Sequence, residues 1–144
     1  MALAFRIIVG IFIQLVSWIA VAMIVATPVQ IAWPAFAEAN HTFNTTQVVT
    51  FDQAMMITRL ALGGVASVAA AWIAALTLRD NRIVPMAGGL ALLVFFIPNH
   101  IMLWDKFPIW YHLTFLLSLV PLTYAGNRIA SIRRAAPGAA VSFP

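Results

Sequence analysis

Few side chains in this 144-residue chain can do chemistry, and most of them fall in two stretches. Asn99, His100, Asp105, Lys106 and His112 form the densest polar group, and Asp52 and Arg59 stand seven residues apart in the other. Imidazoles ligate haem iron, copper or zinc. A charged group inside an apolar segment is costly enough to mark a functional position. Together these seven residues could line a pocket for a quinone, a lipid headgroup or a small anion. His41 would add a third imidazole, but His41, His100 and His112 match no metal-ligand spacing. They stand as metal candidates with no metal assigned, and no cofactor is expected. Other chemistries lack their residues. There is no cysteine, no Gly-rich phosphate loop, no HExxH pair and no Gly-x-Ser-x-Gly elbow. No catalytic residue is assigned, and the chain is expected not to be an enzyme.

The surroundings of these residues are apolar. The chain is 63% hydrophobic and 8% charged, where a soluble domain has about 45–50% and about 25%. That excludes an ordinary water-soluble domain and points to an integral membrane protein. A transmembrane helix needs about 20 mostly apolar residues. Segments 7–27, 54–78, 83–104 and 109–126 meet this or nearly do. The apolar runs are continuous rather than alternating, which excludes the strands of a β-barrel. The expectation is an all-α bundle of four transmembrane helices in a single domain, 1–134, with a flexible cytoplasmic tail over 135–144. The first segment is too long for a signal-peptide core and reads as a retained helix.

Orientation follows from the basic residues. Arg6, Arg79, Arg82, Arg128, Arg133 and Arg134 alternate onto one side, and only Lys106 and Arg59 fall on the other. The first six face the cytoplasm by the positive-inside rule, so both termini are cytoplasmic in a bacterial inner membrane. Clustered basic surface for nucleic acid is absent. A long outer loop, 28–53, then joins helices 1 and 2, and its Trp33, Phe36, Phe43 and Phe51 suit a segment that lies on the interface or caps the bundle. Arg59 lies about 8 Å below the start of its helix at about 1.5 Å per residue, close enough to snorkel outward or to pair with Asp52.

Association in lipid depends on small residues that let backbones approach. Gly63, Ser67, Ala71 and Ala75 recur every four residues, and Gly88 lies in the next segment. These read as packing positions, inside the chain or against another subunit. Pro98 and Pro121 should loosen their helices by removing a backbone donor.

The plan resembles that of small four-helix bacterial inner-membrane proteins with no assigned activity. Gly63-Gly64 with the following Ala run, Ile97-Pro98-Asn99-His100, and Phe107-Pro108-Ile109-Trp110-Tyr111-His112 carry the likeness. The resemblance implies the fold and no chemistry. Glutathione-linked membrane enzymes would place Glu and Asn around a helix 2 arginine, and neither accompanies Arg59. The functional expectation is therefore an accessory subunit docked on a larger membrane complex, with membrane lipids and other subunits as partners. The alternatives are an outer-face ligand or redox protein and, third, a small oligomeric transporter.

Overall fold

The computed structural model describes residues 3–78 and 83–135. Among them the protein is all-α, with five helices and no strand: α1 (Leu3–Ala32), α2 (Pro34–Thr46), α3 (Gln53–Leu78), α4 (Ile83–Met102) and α5 (Ile109–Ala135). Two helices, α1 and α3, are long and apolar enough to cross a membrane, and Met86–Met102 of α4 is a shorter apolar run. The turn carrying Arg79, Asp80 and Arg82, and the tail from residue 136 onward, lie outside the described residues.

Residues 28–53, expected as a long loop, are mostly helical. α1 runs through Pro28 to Ala32, because a proline in the last turns costs a single backbone bond. The chain then breaks at Trp33 alone, whose extended backbone is what the residue before a proline prefers. Pro34 opens α2 at a position where its missing N–H is not needed. α2 ends at Gln47, which adopts the left-handed conformation (φ 60°) and donates its N–H to the Phe43 carbonyl at 2.9 Å. Only residues 47–52 connect α2 to α3 without helix. The last helix also runs further than the expected 126, to Ala135, and passes through Pro121.

The long helices alternate in direction. Gly10 and Gln14 of α1 meet Val84 and Gly88 of α4, so these two run parallel. Gly63 and Val68 of α3 meet Phe115 and Gly126 of α5, so these run parallel as well. Arg6 donates to the Leu78 carbonyl at 2.7 Å, which sets the start of α1 beside the end of α3. One end of the molecule therefore carries Arg6, Arg128 and Arg133, and the other carries α2, Asp52, Asp105 and Lys106.

Small residues make this packing close. Ala66, Ser67, Ala70, Ala71, Ala74 and Ala75 are all fully buried between α3 and its neighbours. A side chain on Gly126 would overlap the Val68 carbonyl, and one on Gly88 would overlap the Gln14 amide. The recurring small face of α3 is thus used inside this chain. Trp18 of α1 donates its indole N–H to Ser67 Oγ at 3.0 Å, and Ser67 donates to the Gly63 carbonyl at 2.8 Å. The indole and the hydroxyl are thereby both satisfied. Gln14 has no such arrangement. It is fully buried and neither of its amide atoms finds a partner among the described residues.

Candidate functional site

α2 lies across the end of the molecule opposite Arg6. Phe36, Ala39 and Phe43 recur at helical spacing and are its buried face. They pack with Phe51, Met55, Phe107 and Tyr111 in one aromatic-rich cluster. Phe107 is its centre. It stands edge-on to Phe43 at 5.5 Å and stacks on Phe51 at 6.0 Å and on Tyr111 at 4.8 Å between ring centroids. The turn before α5 and the turn before α3 are thereby clamped under one helix. Lys106 adds a tie, donating to the Gln47 carbonyl at 3.0 Å.

Arg59 reaches up into this cluster from α3. Its guanidinium carbon is 4.5 Å from the Phe51 ring centre and 5.4 Å from that of Phe43. Nη1 donates to Asn40 Oδ1 of α2, and Nε donates to the Tyr111 hydroxyl at 3.4 Å. Asn40 is itself oriented by donating to the Phe36 carbonyl at 2.8 Å. Arg59 makes no ion pair among the described residues. Asp52, the expected partner, instead caps α3 by accepting the Met55 N–H at 2.8 Å. The cation is therefore held by neutral acceptors and by the negative faces of aromatic rings.

The two histidines of the expected site meet. The Nδ1 atoms of His100 and His112 are 2.7 Å apart. At that distance one nitrogen carries the hydrogen and the other accepts it. The donor, if neutral, has a bare Nε2, and the acceptor, if neutral, carries its hydrogen on Nε2. His100 stacks on Phe115 at 4.8 Å and His112 on Trp104 at 4.9 Å, so packing fixes both ring planes. His112 is fully buried, and its Nε2 has no partner among the described residues.

A cavity of about 350 Å³ separates the Arg59 and histidine groups. Its walls include Trp18, Asn40, Arg59, Asn99, Tyr111 and the histidine pair. Arg59, Asn99, His100 and His112 of the expected site thus share one cavity. Asp52, Asp105 and Lys106 do not line it. All three are exposed, with Asp52 and Lys106 engaged as described. His41 is also exposed, on the outer face of α2, away from the pair. No group of three or more His, Asp or Glu that could hold a metal exists among the described residues.

Asn40 and Tyr111 were not anticipated from the sequence. Asn40 lies 19 residues from Arg59 and Tyr111 lies 52 away. The periodicity of Phe36, Ala39 and Phe43 is the signal that could have placed Asn40 on the inner side of a helix. Comparison with family models, with curated proteins and with solved structures yields no match.

Proposed function

We propose that this chain is a multi-pass protein of the bacterial inner membrane that binds a small amphiphilic ligand in an outward-facing cavity. The four long helices would cross the bilayer, with both termini cytoplasmic and α2 lying on the outer surface. Two features support the crossing. α4 and α5 have 20 and 27 residues, or about 30 and about 40 Å at about 1.5 Å per residue, against a hydrocarbon core of about 30 Å. Large apolar side chains are exposed along all four, among them Phe12, Val65, Val94 and Leu117, and so wide an apolar surface belongs in lipid. The arginine-bearing end would face the cytoplasm.

The observation that carries the ligand reading is Arg59. A half-buried guanidinium with no carboxylate partner among the described residues stands in the wall of a cavity that the histidine pair also lines. Cavities of about 300–1,000 Å³ with a few convergent polar groups hold small molecules. The complementary ligand carries an anionic or carbonyl oxygen for Arg59 and a hydrogen-bonding group for the histidine pair. A quinone ring and a lipid headgroup share this chemistry. Of the motives for the accessory-subunit reading, the stripe of Gly63, Ser67, Ala71 and Ala75 is taken up by packing within this chain.

The test is native mass spectrometry of protein extracted in mild detergent, with solvent extraction of what it carries. One small adduct is expected on the wild-type chain and none on Arg59→Gln or His112→Phe. The mass and ultraviolet spectrum of the extract separate a quinone from a lipid. A bare wild-type chain, or an adduct indifferent to both substitutions, would overturn the reading. Stoichiometric recovery of a larger complex would favour the accessory subunit instead.

A further inference from the structure

A second concavity lies on the outside of the helix assembly, between α3 and α5. Its volume is about 650 Å³ and its walls are almost wholly apolar. The α3 wall is one stripe of mostly small residues from Leu60 through Gly64 and Val68 to Trp72. Val68 of this wall is also the point where Gly126 brings α5 against the α3 backbone. The concavity is therefore built by residue size at the contact and does not depend on a mobile loop. Its far end is different. Arg133 folds back along α5 and sets its guanidinium 5.4 Å above the Trp72 ring, the direction that helical side chains take. Arg133 makes no ion pair among the described residues. Trp72 Nε1 is buried and has no acceptor among them.

We infer that this groove holds one acyl chain of an anionic phospholipid from the cytoplasmic leaflet, with the phosphate on the Arg133 guanidinium at the groove's end. The inference rests on the membrane-spanning reading above but not on the outer cavity or its ligand. Length agrees with it. The rise from Leu60 to Trp72 is about 18 Å at about 1.5 Å per residue, room for one extended acyl chain that enters beside Arg133 and reaches past the middle of α3. Charge agrees as well. The groove ends in a cation with no ion-pair partner among the described residues, and a phosphodiester supplies the negative charge and the acceptor oxygens. Aromatic and arginine side chains at the headgroup level are the usual anchors of that interface. Three of the chain's four acidic residues, Glu38, Asp52 and Asp105, lie toward the opposite end and cannot serve Arg133.

The test uses the full chain in nanodiscs of phosphatidylglycerol mixed with phosphatidylcholine, released into native mass spectrometry. One phosphatidylglycerol is expected to stay bound in preference to phosphatidylcholine. Arg133→Gln should weaken that retention about fivefold, the equivalent of one interfacial basic residue. Arg133→Lys should keep most of it. Gly64→Leu tests the groove apart from the charge. A Cβ there meets only Leu122, at 3.4 Å, so the leucine extends into the groove and should expel either lipid without unfolding the chain. Equal retention of the two lipids, or retention unchanged by both Arg133→Gln and Gly64→Leu, would overturn the inference. A dimer abolished by Gly64→Leu would also overturn it, with a second copy as the occupant. Arg59→Gln should leave this lipid in place, which separates it from any ligand of the outer cavity.

Discussion

Replacing Arg59 with leucine should release α2 from the end of the molecule. The guanidinium is the only polar link described between α3 and α2, through Asn40 Oδ1, and it touches both Phe43 and Phe51. Each cation–π contact is worth about 0.5–1 kcal/mol at a partly exposed site, and a charged hydrogen bond about 1.5–3 kcal/mol. The Tyr111 contact, at 3.4 Å, is long and adds little. Against these stands the cost of holding a half-buried charge, which the leucine removes and which offsets part of the gain. The net effect is about 2 kcal/mol, or roughly a 30-fold rise in the population of undocked α2 at about 1.4 kcal/mol per factor of ten. The chain has no cysteine, so a single Ala39→Cys, at a position 4% exposed, reports that population. Its maleimide labelling rate should rise about 30-fold in the Arg59→Leu background, since modification of a buried group follows the open fraction. Ala35→Cys, on the exposed face of α2, should label at the same rate in both backgrounds. A rise at Ala39→Cys of less than about twofold would refute the idea that Arg59 holds the helix down.

Three further substitutions test the packing. Gln14→Leu should stabilise the chain by about 1–2 kcal/mol in detergent unfolding, because it removes a buried amide with no described partner. Gly126→Leu should destabilise it by about 1–3 kcal/mol or more, as the new side chain meets the Val68 carbonyl, which is backbone and cannot move aside. Asp52→Ala should cost about 1 kcal/mol through loss of the α3 cap, visible as faster amide exchange over the first turn of α3 with the histidine pair undisturbed.

The helices were legible in the sequence where hydrophobicity is continuous, and the tight turn after α4 already set His100 and His112 at similar depth. Residues 28–53 were not legible as helix. Pro28 and Trp33-Pro34 are breakers by composition, yet their effect depends on position. Pro28 sits where an α-helix can lose one bond, and Pro34 sits where the bond is not needed. The surroundings of Arg59 were hidden for another reason. Asp52 lies on the same helical side two turns earlier, and sequence spacing favoured it as a partner. Helix capping engages it first, which leaves Arg59 to residues brought in by α2 and α5. The small face of α3 showed that something packs there. Whether the neighbour is the same chain depends on tertiary contacts that spacing does not encode.

Single-cysteine labelling of spheroplasts tests most directly whether the cavity of this membrane-spanning chain faces outward. Ala26 of α1 lines the cavity, and Ser131 of α5 lies at the arginine-bearing end. A charged maleimide that cannot cross the membrane should label Ala26→Cys in intact spheroplasts. It should reach Ser131→Cys only after lysis. Labelling of Ser131→Cys in intact spheroplasts, or of Ala26→Cys only after lysis, would contradict an outward-facing cavity.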